Sequence, residues 1–386
     1  MPVDLLHQTL KTHFGFDTFR PHQEDIIHHV LDGGHALVIM PTGGGKSVCF
    51  QLPAIIKEGF ALVISPLISL MNDQVRSLRA NGINSGALHS GTSAEESREI
   101  MYHIHNGTLK ILYISPERAL TPKFLEFIAP LKVSLIAIDE AHCVSIWGND
   151  FRPEYAQLPG LMQYFPDVPV LALTATADRA TQEDIRQQLR LKDPKTYLSS
   201  FERPNIQLSV RAGIQRIEQI RDFIKTRKGQ AGIIYCLARK TTESIAETLK
   251  KYGYKAAAYH AEIDNTTRKK VQDDFQFDRL EIVCATIAFG MGIDKPNIRW
   301  IIHYNLPKNI ENYYQEIGRS GRDGQPAEAL MFYSFRDISV YKEFIDQSEA
   351  NETFKRVQAE KLERIWEYSQ ATNCRTNVIL NYFGEY

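Results

Sequence analysis

Short apolar runs alternate along the chain with segments in which apolar residues recur at helical spacing. The runs cover residues 35–40, 60–65, 111–115, 135–138, 170–174, 232–236, 256–259, 281–285, 300–303 and 329–333. Continuous apolar runs of this length are typical of strands buried on both faces, and such strands belong to parallel sheets covered by helices. The pattern therefore predicts an α/β fold built on parallel sheets.

The alternation is interrupted near residues 199–205, which favours two lobes of similar size. From about residue 337 onward no strand-like run occurs, and the spacing of apolar residues is helical. The residues with that spacing are Phe354, Val357, Leu362, Ile365 and Trp366. We therefore expect a first lobe at residues 1–200, a second lobe at 201–336 and a helical appendage at 337–386.

Composition limits the function classes without selecting one. The 386 residues are 43% hydrophobic, and 45 basic against 46 acidic residues leave a net charge of −1. Overall charge therefore does not indicate nucleic-acid binding, and any nucleic-acid track must be a local patch. No leader-like segment opens the chain and no long apolar segment occurs, so we expect a cytoplasmic protein without a membrane partner.

A glycine-rich loop follows the first strand-like run and precedes a helical segment. It reads Met40, Pro41, Thr42, Gly43, Gly44, Gly45, Lys46 and Ser47. Glycines let backbone N–H groups turn around phosphate oxygens, a lysine reaches the β and γ phosphates, and a serine hydroxyl can ligate Mg²⁺. The general pattern has Gly where this chain has Met40. The loop predicts a bound nucleoside triphosphate, and the ordinary alternative is a glycine turn with a surface lysine.

Two acidic residues, Asp139 and Glu140, follow the apolar run 135–138. Carboxylates at the carboxyl end of a buried parallel strand face the ligand crevice. We expect Asp139 to hold Mg²⁺, directly or through water, and Glu140 to orient and deprotonate the water that attacks the γ phosphate. Alone, such a pair usually marks only the start of a helix. Together with Lys46 it predicts ATP hydrolysis.

A third polar segment contains Gln315, Arg319 and Arg322. The two arginines are three positions apart and share a face if the segment is helical. Guanidinium groups suit the charge that spreads over phosphoryl oxygens during transfer. The arginines can act on a nucleotide only if the second lobe closes over the first, and in isolation they are more typical of surface ion pairs.

These segments occur in the order found in DEAH-type helicases, and residues 5–385 resemble the RecQ family of DNA helicases. The resemblance implies two RecA-like lobes with ATP in the cleft between them. It also implies that Phe16, Arg20 and Gln23 recognise the adenine base. Residues to which it assigns DNA contact or coupling are Ser65, Thr174, Thr176, Phe289 and Met291.

The most family-specific segment, residues 141–155, resembles the aromatic-rich loop that couples DNA contact to hydrolysis. Trp147, Phe151 and Arg152 are available there for stacking and phosphate contact. Core packing is the ordinary alternative for the aromatic residues, but the neighbouring glycine and proline residues favour a loop.

The chain departs from the family pattern at three positions. Ile146 stands where Gln is usual and Asn149 where His is usual, so two polar groups next to the ATP site are replaced. Glu262 stands where Gly is common, and it brings a negative charge to a place where DNA phosphates are expected.

The five cysteines, at positions 49, 143, 236, 284 and 374, predict neither a disulfide framework nor a complete zinc site. Residues 373–385 resemble the beginning of the family's zinc-binding domain. This resemblance implies that Cys374 is one zinc ligand of an incomplete site, with zinc bound only in a longer form of the chain. We also expect the segment after Cys374 to be frayed.

Taken together, the motifs and the resemblance predict an ATP- and Mg²⁺-dependent DNA helicase that translocates 3′ to 5′ and serves recombination or repair. The expected partners are single-stranded and duplex DNA and single-stranded-DNA-binding proteins, and we expect a monomeric motor, associated with the nucleoid in a bacterium. One alternative is a DNA-stimulated ATPase that acts as a binding or annealing scaffold without unwinding. Another is an RNA motor, which the aromatic-rich loop disfavours.

Overall fold

The computed structural model describes residues 3–148, 150–286, 289 and 295–385. The chain divides into two compact units, Met1–Ser200 and Phe201–Tyr386, and each unit is built on its own parallel sheet. The predicted α/β class with two parallel-sheet lobes is confirmed. No helix in these described ranges has both the length and the apolar character needed to cross a bilayer.

The first unit has a sheet of seven strands within the described part of the chain. These strands are β1 (Ala36–Ile39), β2 (Phe60–Ile64), β3 (Ser85–Leu88), β4 (Ile111–Ile114), β5 (Val133–Ile138), β6 (Val170–Thr174) and β7 (Lys195–Leu198). They lie in the order β3-β4-β2-β5-β6-β1-β7, and neighbouring strands are parallel. The central strands are buried along their whole length, which is why their sequences are continuously apolar.

Helices precede the first strand and connect the strands that follow. They are α1 (Val3–Phe14), α2 (Gln23–Leu31), α3 (Val48–Ile56), α4 (Ile68–Ala80), α5 (Ala94–His105), α6 (Pro116–Ala119), α7 (Pro122–Ile128), α8 (Leu158–Met162) and α9 (Arg179–Gln188). Two of them begin at a side-chain cap, since Ser93 accepts a hydrogen bond from the Glu96 N–H and Asp178 accepts one from the Thr181 N–H.

The second unit has six strands in its described residues. They are β8 (Ile206–Ala212), β9 (Ala231–Tyr235), β10 (Ala256–Tyr259), β11 (Ile282–Ala285), β12 (Ile298–His303) and β13 (Ala327–Tyr333). The order across the sheet is β10-β11-β9-β12-β13-β8, again with parallel neighbours.

The helices of this unit are α10 (Arg216–Lys225), α11 (Arg239–Lys251), α12 (Asn265–Gln276), α13 (Ile310–Ile317), α14 (Phe335–Gln347), α15 (Glu352–Gln370) and α16 (Arg375–Tyr382). The helical spacing near residue 360 corresponds to α15, on which Val357, Leu362 and Ile365 are buried. Residues from 337 onward belong to the same compact unit as the second sheet.

Three strands, β3, β7 and β8, are not predicted by the apolar runs. All three lie at an edge of their sheet. β7 and β8 carry exposed or half-buried positions between apolar ones, and β3 consists largely of small residues. An edge strand has a neighbour on one side only, so a short or alternating sequence is sufficient there.

The segment after Cys374 is helical and packed, and the prediction of a frayed tail is therefore wrong. Phe383 is buried and stacks on Phe201, with ring centroids 4.2 Å apart and planes 10° from parallel. The Glu385 carboxylate accepts a hydrogen bond of 2.8 Å from the Phe201 N–H. The first residue of the second unit thus supplies the packing partner that the sequence pattern does not show.

Close packing between β9 and β12 predicts a glycine requirement. Gly232 on β9 lies opposite the buried Trp300 on β12, and an added Cβ would come within 2.1 Å of the indole ring. Gly232→Ala should therefore lower the free energy of unfolding by about 1–3 kcal/mol, the usual effect of overpacking. Urea denaturation measures the change. Gly160→Ala is the control, because no atom lies within 4 Å of its added Cβ; equal destabilisation by the two variants would contradict the prediction.

A histidine at the start of β1 predicts a pH-dependent stability. The Val170 N–H donates to His35 Nδ1 at 3.1 Å, which requires an unprotonated Nδ1. Burial, followed by the charges of Lys192 and His29, lowers the pKa of His35. The unfolded chain therefore binds a proton that the folded chain does not, and stability should fall as the pH drops below the ordinary value of about 6.5.

Urea denaturation at pH values above and below that point tests this prediction. His35→Gln should reduce the pH dependence of the unfolding free energy. His105→Gln, which alters an exposed histidine on α5, should leave it unchanged. An unaltered pH dependence in the His35 variant would show that another group is responsible.

Candidate nucleotide site and DNA-coupling loop

Four of the predicted segments meet at one edge of the first sheet. Strands β2, β5, β6 and β1 are adjacent in that order, and parallel strands end at the same edge. The residues at or just beyond those ends are Ser65, Asp139, Thr174 and Met40. Backbone hydrogen bonds continue past the strands, since the Asp139 N–H donates to Ile64 at 2.9 Å and the Met40 N–H to Thr174 at 3.1 Å.

The glycine-rich loop leaves β1 and enters α3. Gly43 and Gly45 have φ angles of 81° and 84°, in the region that favours glycine. Lys46 Nζ donates to the Met40 carbonyl at 3.0 Å, so the ammonium group lies over the beginning of its own loop. A loop of this conformation with its lysine folded back suits the binding of phosphate oxygens.

The segment predicted to recognise adenine is attached to this loop. Gln23 is buried, and its side chain donates to the Gly45 carbonyl at 3.0 Å and accepts from the Arg20 N–H at 2.8 Å. The Arg20 guanidinium donates to the Gly43 carbonyl. Phe16 is 51% exposed and is available for stacking. The structure thus brings Arg20 and Gln23 to the phosphate loop, and contact of these residues with a base stays a prediction.

Asp139 and Glu140 form a half-buried acidic pair, and the backbone of Glu140 is strained. Glu140 has φ 50° and ψ 45°, a left-handed conformation that is costly for a residue other than glycine. Its N–H donates to Asp139 Oδ1 at 3.0 Å. Burial, followed by the charge of Glu140, raises the pKa of Asp139, while the charge of Lys46 acts in the opposite direction.

Ser47 and Asp139 fit the predicted magnesium-binding role. Ser47 stands at the start of α3, and its hydroxyl makes no capping hydrogen bond to that helix. Partial burial and the charge of Glu140 raise the pKa of Asp139, and a cation would stabilise its carboxylate. Among the described residues no group of three metal-binding side chains occurs. Mg²⁺ does not require one, because it commonly uses one or two protein oxygens together with phosphate oxygens and water.

His142 connects the acidic pair with the segment predicted to couple hydrolysis to DNA. Its Nδ1 lies 2.9 Å from Thr174 Oγ1 and 3.3 Å from Glu140 Oε2. Thr174 Oγ1 in turn donates to the Thr176 carbonyl at 3.1 Å. Both threonines are buried, so their side chains offer no surface to DNA. Thr174 instead contacts His142, which lies beside the acidic pair.

Ser65 and Phe289, two further predicted DNA contacts, are buried as well. Phe289 packs in the core of the second unit beside Tyr259 and Phe275, with ring centroids 4.6 Å and 5.8 Å away. Core packing, the ordinary role of an aromatic residue, accounts for the position of Phe289. Neither Ser65 nor Phe289 has an exposed side-chain surface with which to contact DNA directly. Met291 lies outside the described residues, as does Asn149.

The aromatic-rich loop follows a 3₁₀ turn at Ala141–Val144. Trp147, Phe151 and Arg152 are half-buried, so each retains some surface for stacking or for phosphate contact. The Arg152 guanidinium is oriented by Asp150, whose Oδ2 accepts from Nε at 3.1 Å and from Nη2 at 3.0 Å. The described residues 145–148 and 150–154 are in turns and irregular structure, as predicted, while contact of this loop with DNA stays a prediction.

The arginine segment lies in the second unit. Helix α13 ends at Ile317, so Arg319 and Arg322 follow it in turns, and the condition under which they would share a helix face is not met. Gln315 is half-buried within α13. Burial raises the pKa of Tyr235, and the charges of Arg319 and Arg322 act in the opposite direction.

Two residues that the sequence pattern does not reveal support this turn. Arg203 Nη2 donates to the Ser320 carbonyl at 3.0 Å, and Asn205 Nδ2 donates to the Gly321 carbonyl at 2.9 Å. The segment 199–205 was predicted only as the break between lobes. Its further role is invisible in the sequence because both bonds go to backbone carbonyls more than 100 positions away.

Cys374 is exposed and stands at the start of α16. Backbone N–H groups of Asn377 and Thr376 lower the pKa of its thiol, as is usual at a helix N-terminus. The structure thus shows one thiol at the predicted position, and the predicted dependence of zinc binding on a longer chain stays a prediction.

The fold and the site define a DEAD/DEAH box type of helicase core, and the comparisons with known proteins agree. Residues 20–185 match the DEAD/DEAH box helicase family, residues 215–324 the helicase conserved C-terminal domain, and residues 335–386 the RecQ zinc-binding domain.

Two curated relatives extend the comparison. The ATP-dependent DNA helicase RecQ of Haemophilus influenzae is 49% identical over 98% of this chain, which spans 61% of that relative's length. A putative ATP-dependent RNA helicase of Acanthamoeba polyphaga mimivirus is 41% identical over 98% of this chain and 69% of its own length. The chain belongs to the RecQ family, and the predicted resemblance is confirmed.

A solved structure supports the fold. The helicase Lhr of Mycobacterium smegmatis, bound to single-stranded DNA and AMP-PNP, matches with a TM-score of 0.67 and 22% identity, covering 89% of this chain and 49% of that one. At this level of identity the likeness concerns the fold alone.

The departure at Glu262 creates an ion pair. The Glu262 carboxylate, beyond the end of β10, contacts the guanidinium of Arg239 at the start of α11, and both side chains are exposed. Such a pair contributes little to stability. Its main consequence is that Glu262 occupies and neutralises an arginine of the surface where DNA phosphates are expected.

We predict that Glu262→Gly strengthens binding of single-stranded DNA and steepens its salt dependence by about one phosphate contact, because Arg239 is released. Fluorescence anisotropy with a labelled oligonucleotide over a range of salt concentrations measures both quantities. In an Arg239→Ala background the same substitution should give no steepening. If the steeper salt dependence persisted in that background, Arg239 would not be the residue that Glu262 restrains.

Proposed function

We propose that this protein is an ATP- and Mg²⁺-dependent DNA helicase. The observation that carries the proposal is the meeting of the Lys46 loop with the Asp139–Glu140 pair, which His142 joins to Thr174 at 2.9 Å. An aromatic-rich loop with partly exposed side chains continues directly from His142. Nucleotide chemistry and a nucleic-acid contact are therefore adjacent in one unit. Membership of the RecQ family supports DNA as the substrate.

In the proposed reaction each residue of the first unit has a distinct role. Lys46 neutralises phosphate oxygens, and Ser47 with Asp139 holds Mg²⁺, which supplies further neutralisation of phosphate charge when it is bound. Glu140 accepts the proton of the attacking water. His142, 3.3 Å from Glu140 Oε2, restrains the orientation of that carboxylate.

Substrate recognition uses the neighbouring segments. Backbone N–H groups at Thr42, Gly43, Gly44 and Gly45 surround the phosphates. Gln23 hydrogen-bonds the adenine edge while Phe16 and Arg20 pack against the base. The hydrogen bonds from Arg20 and Gln23 to the glycine-rich loop support a single binding surface for base and phosphates.

We further propose that Gln315, Arg319 and Arg322 take part in hydrolysis, because guanidinium groups stabilise the charge that develops on the transferred phosphoryl group. The support of this turn by Arg203 and Asn205 gives the arginines a defined backbone. Their approach to the nucleotide stays a proposal.

DNA engagement is proposed for Trp147, Phe151 and Arg152. Stacking of a base on an aromatic side chain contributes about 1–3 kcal/mol, and a guanidinium suits a phosphate. Thr174 and Thr176 act as the buried connection between this loop and the catalytic carboxylate.

The direction of translocation, the pathway, the oligomeric state, the protein partners and the cellular location are supported by family membership alone. We propose 3′ to 5′ translocation, a role in recombination or repair, action as a monomer, and cooperation with single-stranded-DNA-binding proteins in the cytoplasm or at a bacterial nucleoid. Zinc binding through Cys374 is proposed for a longer form of the chain.

We predict that Lys46→Ala and Glu140→Gln each lower the ATPase rate by about a hundredfold or more, since they remove phosphate-charge neutralisation and water activation. Glu140→Gln should still bind ATP, and Arg322→Ala should also lose turnover. A coupled ATPase assay with and without single-stranded DNA measures the rates. Lys123→Ala and Glu117→Gln, at exposed positions of α7 and α6, are the matched controls.

Strand displacement on a partial duplex separates the proposed helicase from the scaffold alternative. Unwinding that needs ATP and is lost in Glu140→Gln is the expected result. DNA-stimulated hydrolysis without strand displacement would favour a scaffold. The name of the mimivirus relative makes RNA a necessary comparison; stronger stimulation by RNA than by DNA would contradict DNA as the substrate.

A further inference from the structure

Helix α9 begins directly after the buried Thr174 and Thr176 segment. Asp178 caps it by accepting the Thr181 N–H at 2.8 Å, and Gln182 Nε2 donates back to the Ala177 carbonyl at 2.9 Å. These two bonds fix the first turn of the helix to the segment that contacts His142. The first turn of the helix is therefore linked by hydrogen bonds to the segment next to the catalytic carboxylate.

The same helix also holds the aromatic-rich loop. Thr181 Oγ1 donates to the Trp147 carbonyl at 3.1 Å. One turn later Asp184 Oδ2 accepts from Ser145 Oγ at 2.5 Å, and Ser145 Oγ accepts from the Trp147 N–H at 3.1 Å. Both backbone groups of Trp147 are thus bonded to α9, one directly and one through Ser145.

Loss of these hydrogen bonds should be costly, because Ser145 and Thr181, which make them, are buried. Ser145 is 0% exposed and Thr181 is 1% exposed, so water cannot replace a lost partner without a rearrangement of the loop. Asp184 is half-buried, and its second oxygen accepts from Gln188 Nε2 at 3.1 Å, which holds the carboxylate in the orientation that Ser145 uses.

We propose that Asp184 is a positioning residue that sets the place of Trp147 through Ser145 and thereby transmits engagement of a DNA strand to the nucleotide site. The proposal rests on the proposed function, since it assigns a part of the coupling between DNA contact and hydrolysis. The route is short. A displacement of Trp147 acts on α9 through Ser145 and Thr181, and the start of α9 adjoins Thr174, which His142 contacts at 2.9 Å.

The test compares Asp184→Ala with Glu183→Ala. Glu183 is the preceding residue of α9, and its carboxylate bonds only along the helix in the described structure, to Arg186 at 3.2 Å and Gln187 at 2.9 Å. Asp184→Ala should lower the stimulation of ATPase by single-stranded DNA about tenfold or more, since tenfold is the lower end of the effect of losing a hydrogen bond to a charged group. The DNA-free rate should not change, and Glu183→Ala should keep normal stimulation.

Two further variants separate positioning from a general loss of structure. Asp184→Asn retains an acceptor oxygen for Ser145 and should restore most of the stimulation. Ser145→Ala should lose at least as much stimulation as Asp184→Ala, because it also removes the acceptor of the Trp147 N–H. The double variant should be no worse than Ser145→Ala, because the bond to Asp184 is already absent in that single variant. Independent, additive losses would overturn the proposal.

A spectroscopic measurement does not depend on activity. In protein labelled with fluorotryptophan, the Trp147 resonance is assigned by its absence in Trp147→Phe. Asp184→Ala should shift or broaden that resonance without DNA present, while the resonances of Trp300 and Trp366 stay unchanged. An unchanged Trp147 resonance would overturn the positioning role.

Failure of the proposed function and failure of the role of Asp184 give different results. If the parent protein showed no stimulation by DNA, the proposed function would fail, whatever the variants did. If the parent were stimulated and Asp184→Ala behaved like Glu183→Ala, only the role of Asp184 would fail.

Discussion

The parallel pairing of β5, β6 and β1 is the constraint on which the candidate site depends. Parallel strands end at one edge of a sheet, so segments that are far apart in sequence become neighbours without any bond between their side chains. In this chain the acidic pair, the buried threonines and the glycine-rich loop reach the same edge for that reason. Their order across the sheet also fixes which segment lies between the other two: β6, with Thr174 at its end, separates the carboxylates from the phosphate loop.

The strain at this edge has an electrostatic origin as well as a conformational one. Glu140 is held in a left-handed conformation next to Asp139, whose pKa is raised by burial and then by the charge of Glu140. Two acids in such a place are unfavourable unless positive charge is provided. Lys46 supplies part of that positive charge, and a divalent cation that binds together with a nucleotide is suited to supply the rest.

The departures from the family pattern differ in their physical consequences. Met40, where the general loop pattern has Gly, has a buried side chain, and its backbone carbonyl accepts from Lys46 as that of any residue could. Glu262 is compensated by Arg239, so its charge changes the surface without leaving an isolated acid. Ile146 is half-buried beside Trp147, where the loop is held through backbone groups and Ser145.

The sequence by itself determined the α/β class, the central strands, the glycine-rich loop and the acidic pair, because continuous apolar runs and loop chemistry are local properties. Edge strands, the packed tail on Phe201 and the support of the arginine turn by Arg203 were decided only by the tertiary structure. The same holds for the link from Asp184 to Ser145. Each of these depends on contacts between residues that are distant in sequence, and a hydrogen bond to a remote backbone or side-chain oxygen leaves no periodic pattern along the chain.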